Sequence, residues 1–143
     1  IQRAAMLQVL VEDSPVVPID KSELGQVVMN LLLNAAQAIE RKRANATEDG
    51  TPTSPPNPRE DVISVKIGRD GDMAFISVSD TGTGVPAGEE ERIFDPYYTT
   101  RETGNGLGLA VVRSLLSRVG GEIEVEPGDT GGARFVVTIP TSS

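Results

Sequence analysis

The apolar positions of this chain follow two rhythms, and the switches between them divide it into elements. Between Lys21 and about Arg43, Leu24, Val27, Val28, Leu31, Leu32, Ala35 and Ile39 recur at helical spacing, with no proline and one glycine. That spacing predicts an amphipathic helix. Asp20 and Glu23 predict a capping box at its start. Strand-like runs stand at Val62 to Ile67 and Met73 to Ser79, with a hairpin turn predicted across Gly68 to Asp72. A second strand pair is predicted at Glu122 to Glu126 and Ala133 to Ile139, closed by Pro140. Shorter β-like runs lie at residues 7–11 and at Val16-Val17, around a turn at Asp13-Ser14-Pro15. A glycine-rich turn, Gly104 to Gly108, opens a predicted second helix ending at Val119, with Leu107, Val111, Leu115 and Val119 as its apolar stripe. Gly120-Gly121 stops that helix. Residues 44–61 are polar and rich in Pro, Thr and Asn, and predict a mobile loop. Residues 93–100 read as irregular. The order of elements predicts an α+β fold: a two-layer α/β sandwich with a sheet covered on one face by helices.

Length and composition narrow the picture. The 143 residues fit one domain. Aromatics make up only 3% of the chain against 38% hydrophobic residues overall, so the core is expected to be aliphatic. There is no cysteine, which excludes disulfides and thiolate metal sites and favours a cytoplasmic setting. There is no histidine, which excludes imidazole catalysis and any phosphohistidine on this chain. A net charge of −8 disfavours nucleic-acid binding, which needs a basic surface. No apolar run is long enough to span a bilayer. The chain starts at Ile1 without an initiator methionine, and we read it as a piece of a longer protein whose other parts are free to be membrane-anchored.

Three features carry chemistry. First, Asn30, Asn34, Gln37 and Arg41 fall at i, i+4, i+7 and i+11, a polar stripe through a very apolar helix. Solvated helix faces are usually rich in Lys and Glu, whereas this stripe is rich in amides. Amide oxygens suit Mg²⁺, a hard cation that keeps much of its water shell. Second, Asp80 shares one strand face with Ile76 and Val78 by period-2 alternation, so it points into the core. A buried carboxylate needs hydrogen-bond donors. Either the following turn supplies them or a ligand does, and the exocyclic amine of a purine fits. Gly82 and Gly84 allow close approach of backbone and ligand. Third, Gly104, Gly106 and Gly108 precede a helix N-terminus, where free N–H groups and the helix dipole favour phosphate. The GxGxG spacing is not the dinucleotide-binding fingerprint. Each feature also has a bland reading: a solvated face, an Asx-turn, ordinary helix-entry glycines.

In this order the features resemble the catalytic ATP-binding domain of sensor histidine kinases. That domain belongs to the wider superfamily of gyrase, a heat-shock chaperone and mismatch-repair ATPases, which shares the Bergerat-type fold with its mixed sheet and about three helices. NLLLNAAQAI (30–39) resembles the N box, DTGTGVP (80–86) the first G box, IFDPYYTTR (93–101) the F box, and GNGLGLAVVRSLLSRVGGEIEV (104–125) the second G box. The resemblance implies one ATP-binding catalytic domain over residues 1–143, without the domain carrying the phospho-accepting histidine. It implies catalytic roles for Asn30 and Asn34, with Asn34 as the Mg²⁺ ligand and Asp80 as the reader of the adenine amine. It implies that Gly82 and Gly84 line the base pocket and that Gly104, Gly106, Leu107 and Gly108 lie on the phosphate side. Phe94 is implied as the aromatic anchoring the lid, and Thr138 as a softer base contact. The expected cofactors are ATP and Mg²⁺. The expected partners are the histidine-containing dimerisation domain of the same protein, in a homodimer, and indirectly a response-regulator receiver domain.

Departures matter too. Many relatives carry Lys three residues after the N-box Asn, and this chain has Gln37. The charge facing phosphate then falls to Arg41 or Arg101. The NAxQA pattern resembles nitrogen-regulation-type kinases. Gyrase-type hydrolases place a Glu four residues before the metal-binding Asn as base for water. Asn30 holds that position here, and a neutral amide cannot take a proton. Hydrolysis is therefore disfavoured. A kinase of the anti-sigma type, directed at Ser or Thr, and a nucleotide-binding module without activity stay open.

Overall fold

The computed structural model describes residues 6–46, 61–86, 88–95, 108–128 and 131–142. Five strands form one mixed sheet: β1 (Met6–Val11), β2 (Val62–Asp70), β3 (Met73–Asp80), β4 (Glu122–Pro127) and β5 (Ala133–Pro140), in the order β1-β2-β3-β5-β4. β1 runs parallel to β2, and the other pairings are antiparallel. Helices α1 (Lys21–Ala46) and α2 (Gly108–Ser117) and a single 3₁₀ turn at Arg92–Phe94 complete the described elements. The expected three helices are therefore two α-helices and a 3₁₀ turn among the described residues.

Register explains the layering. Residues directly opposite one another in a ladder share a face, so Val65, Val78 and Phe135 line up, as do Ile67, Ile76 and Val137. β3 alternates strictly, with Ala74, Ile76, Val78 and Asp80 buried and the residues between them half-buried. The helices cover that face. Val27, Leu31, Val112, Leu116, Val78 and Val137 are at most 1% exposed and form the centre of the core. Each such side chain contributes roughly 1.5–3 kcal/mol by leaving water. The other face is polar: Ser64 and Ser79 oppose one another, and Arg134 donates to Ser79 Oγ at 3.2 Å and pairs with Glu126.

Several local expectations shift. The β2–β3 hairpin is tighter than the predicted turn, because Asp70 pairs with Met73 and only Gly71 and Asp72 turn. Gly71 adopts φ 62°, which glycine accepts without cost. Val16-Val17 is not a strand; the Val16 carbonyl instead accepts the Ser142 N–H at 2.7 Å. At the start of α1, the Asp20 carboxylate accepts the Ser22 hydroxyl, while Glu23 pairs with Arg118, just past the end of α2, at 2.8 Å. Helix α2 ends at Ser117, two residues before the predicted Val119; its fully buried positions are Val112 and Leu116, with Val111 and Leu115, and Val119 just past its end, only half-buried. The stripe is therefore centred one residue later than the periodicity suggested. The stop of α2 matches expectation: Gly121 N–H reaches Leu116 O and Gly120 N–H reaches Ser117 O, with Gly120 at φ 76°. Helix α1 runs on to Ala46, and residues 47–60 of the predicted loop lie outside the described residues.

Candidate functional site

The site grows from the end of β3. Alternation places Asp80 beneath the helices, 2% exposed. Its Oδ1 accepts the Gly82 N–H at 2.8 Å and, at 3.5 Å, the Ala133 N–H at the start of β5. Its Oδ2 is buried and has no hydrogen-bond partner among the described residues. The turn reading of the sequence therefore holds for Oδ1, and Oδ2 is the oxygen left open to the other. Burial pushes the Asp80 carboxyl above the ordinary carboxylate range. The Gly82 and Ala133 N–H groups and the charge of Arg41 pull the other way.

The turn after Asp80 is held against α1. Thr83 N–H donates to the Ala38 carbonyl at 3.3 Å. A Cβ on Gly82 would stand 2.5–2.6 Å from Ala38 main-chain and side-chain atoms. Gly82 is therefore required by helix packing, a reason internal to the fold. Gly84 adopts φ 75° and faces the Gly131 carbonyl. Thr81, buried, accepts the Val62 N–H on its hydroxyl at 3.1 Å and ties the turn to the start of β2. Just before that strand, Asp61 is buried against Arg43 at 2.7 Å and Lys42 at 3.8 Å.

Along α1 the polar stripe is half-buried at all four positions, Asn30, Asn34, Gln37 and Arg41, so it is not a solvated face. Its order has meaning. Arg41 and Ala38 lie at the Asp80 end. Asn34 is one turn earlier. Asn30, another turn earlier, donates to the carbonyl of Gly108, the first residue of α2, at 3.3 Å. At 1.5 Å per residue, the eight residues from Ala38 to Asn30 span about 12 Å. One edge of α1 therefore connects a buried acceptor, an amide and a helix N-terminus. Among the described residues there is no cluster of His, Cys, Asp and Glu able to hold a metal ion. A divalent cation here would rest on amide oxygen and on oxygens brought by a ligand, which suits Mg²⁺ accompanying phosphate.

One of the expected assignments changes. Thr138 does not meet Asp80. Ser79 pairs with Arg134, so Asp80 lies level with Ala133, whereas Thr138 pairs with Phe75. Five residues of strand place Thr138 about 17 Å further on, and an odd number places it on the opposite face. Phe94 packs in the core, and the lid it is expected to anchor lies outside the described residues. Phe94 is 4% exposed, edge-on to Phe135 at 6.4 Å, with the Arg113 guanidinium 4.8 Å from its ring centroid. Gly108 opens α2 with open space where a Cβ would stand. Gly104, Gly106 and Leu107, and Arg101 with them, lie outside the described residues.

Two residues of the site were not legible in the chain. Gly132 backs Asp80 so closely that a Cβ there would collide with the Asp80 carbonyl and carboxylate. Ala133 supplies a backbone donor. The Gly131-Gly132 pair signals a turn before a strand, but nothing local says that the turn abuts a residue 52 positions earlier.

Known proteins can now be set beside this geometry. The model of the family described as histidine kinase-, DNA gyrase B- and HSP90-like ATPases matches residues 19–143. The sensor histidine kinase ZraS of Escherichia coli O157:H7 is 38% identical over 128 residues, covering 90% of this chain and 24% of that protein. The chain thus spans about a quarter of the length of that curated relative. Among solved structures, the mycobacterial sensor histidine kinase MprB matches with a TM-score of 0.75 and 25% identity, over 96% of this chain and 82% of the other. Full-length ShkA in complex with AMPPNP matches with a TM-score of 0.73 and 28% identity, over 99% of this chain and 26% of the other.

Proposed function

The chain belongs to the family of histidine kinase-, DNA gyrase B- and HSP90-like ATPases, and on that premise we propose that it binds Mg-ATP and donates the γ-phosphate to a histidine carried on a separate domain of a sensor kinase. The observation that carries the reading is Asp80 Oδ2, a buried acceptor without a donor among the described residues. The 6-amino group of adenine supplies the missing donor. The ShkA neighbour, solved with an ATP analogue, supports the same choice of ligand.

The residues divide the work by their place along α1. Asp80 reads the base. Asn34 contributes an amide oxygen to the metal. The N-terminus of α2, fixed to α1 through Asn30, offers backbone N–H groups and a positive dipole end to the phosphates. Bound Mg²⁺ would supply charge neutralisation on the phosphate oxygens. Protein groups then do little beyond positioning, because the nucleophile comes from elsewhere: this chain has no histidine. Asn30 is committed to Gly108 and cannot accept a proton, which weighs against a gyrase-like hydrolase.

The test is phosphotransfer in trans. The 143-residue chain with labelled ATP should release little phosphate alone. On adding the histidine-bearing dimerisation domain of its own parent protein, an acid-labile phosphoprotein should form. Brisk phosphate release by the chain alone supports the hydrolase. Acid-stable label on a serine of a partner supports the anti-sigma type of kinase. Tight ATP binding with no transfer supports an inactive module.

A further inference from the structure

The turn that follows β3 holds one buried polar side chain with no part yet in the site. Asp80 presents Oδ2, Gly82 fits beneath Ala38, and Gly84 makes the bend at positive φ. Thr81, between them, is buried as well.

Its hydroxyl is a link between two strands. The β2–β3 ladder ends where Ile63 stands opposite Asp80. One residue back along β2, the Val62 N–H donates to Thr81 Oγ1 at 3.1 Å. The side chain thus holds the end of β3 to β2 after the ladder has stopped. The main chain is then free to turn toward α1, where the Thr83 N–H reaches the Ala38 carbonyl. The β2 side of this link is itself fixed. Asp61, which precedes Val62, is buried against Arg43 of α1, and its carbonyl accepts the Met6 N–H of β1.

The path from Thr81 to the carboxylate is short. The N–H that holds Asp80 Oδ1 at 2.8 Å is that of Gly82, and it lies in the rigid peptide plane joining Thr81 to Gly82. The second donor, the Ala133 N–H, stands at 3.5 Å, beyond the ordinary range for such a bond. The direction of the carboxylate therefore follows the Thr81–Gly82 peptide. A rotation of that plane moves Oδ1, and Oδ2 swings with it.

We propose that Thr81 is a positioning residue of the base site: its hydroxyl, bonded to β2, fixes the peptide that holds Asp80 Oδ1 and so aims Oδ2 at the exocyclic amine of the base. The inference rests on the reading of Asp80 as the base acceptor and adds what sets its direction.

The experiment compares ATP with purine riboside triphosphate, which carries hydrogen in place of the 6-amino group. Affinities are measured by calorimetry for the 143-residue chain and for Thr81→Val and Thr81→Ser. The wild type should prefer ATP by about tenfold to a hundredfold, the worth of one hydrogen bond to a charged acceptor. Thr81→Val keeps the shape and loses the hydroxyl. Its preference for ATP should be roughly fivefold smaller, because a hydrogen bond weakens steeply when bent. Its affinity for purine riboside triphosphate should be unchanged, since that ligand makes no bond to Oδ2. Thr81→Ser should keep the wild-type preference. Hydrogen exchange at the Val62 N–H reports the link itself and should be slow in the wild type and Thr81→Ser and faster in Thr81→Val. Full preference in folded Thr81→Val, or equal weakening of both nucleotides, overturns the positioning role and leaves the reading of Asp80 intact. A freely exchanging Val62 N–H in the wild type does the same, and that measurement needs no variant to fold. A wild type that binds the two nucleotides equally overturns the reading of Asp80 as base acceptor and the role of Thr81 with it.

Discussion

Replacing Asp80 with Asn separates what this residue does for the ligand from what it does to the fold. The side chain is 2% exposed, with Oδ1 satisfied and Oδ2 without a partner among the described residues. Asn keeps the shape and can keep an oxygen toward the Gly82 N–H. It then presents an NH₂ where a ligand amine requires an acceptor. A hydrogen bond to a charged group is worth roughly 1.5–3 kcal/mol, so ATP affinity should fall about tenfold to more than a hundredfold. Stability should move the other way. Because burial raises the folded pKa of Asp80, its proton linkage favours the folded state below the ordinary carboxylate pKa. That contribution is lost as pH rises through the folded value. At neutral pH the wild type therefore keeps a poorly solvated charge in the nucleotide-free domain, and Asp80→Asn should be more stable by something on the order of 1 kcal/mol. The gap should narrow as pH is lowered toward about 4, where the carboxyl is also about half neutral in the unfolded chain. Calorimetric titration with Mg-ATP and thermal unfolding at about pH 7.5 and pH 4 give both numbers on one preparation. Undiminished affinity would refute the assignment of Oδ2 as the base acceptor. A variant less stable than wild type at neutral pH would show that the fold, not a ligand, uses the charge.

Three further outcomes follow from the same geometry. Asn34→Ala should abolish Mg-dependent ATP binding while the unfolding midpoint of the nucleotide-free domain barely moves, since the side chain is only half-buried; full Mg-ATP affinity by calorimetry would remove Asn34 from the metal site. Gly132→Ala should lower stability by about 1–3 kcal/mol and weaken nucleotide binding together, because its Cβ drives into Asp80; a urea midpoint and ATP affinity matching wild type would contradict that contact. Leu31→Ala removes a side chain that is 0% exposed at the centre of the core and should cost about 2–5 kcal/mol in urea unfolding; a loss under 1 kcal/mol would place Leu31 outside the core.

The local order of the chain was sufficient for much of this. Helical spacing from Leu24 to Ile39 marks the face of α1 that is buried, because a 3.6-residue period has only one way to present seven apolar side chains to a core. Alternation along Met73 to Asp80 places the carboxylate beneath the helices for the same kind of reason. The amides of the stripe and the glycines of the two turns were visible as departures from what a solvated face or an ordinary strand end would carry. Their resemblance to a known set of motifs pointed to the ligand.

Tertiary structure decided the rest, and in each case the reason is a non-local contact. Thr138 and Ala133 sit on the same strand, and only the β3–β5 register makes Ala133 the neighbour of Asp80. Gly82 reads as a ligand-side glycine until α1 is packed on it and Ala38 fills the space. Phe94 reads as an anchor, and only the tertiary structure shows that it packs on Phe135 and Arg113. The stripe of α2 moves by one residue because the sheet beneath it selects which side of a nearly all-apolar helix turns inward. Periodicity specifies which face of an element is buried. It is silent on what that face meets, because register and packing partner are set by side chains far away in sequence.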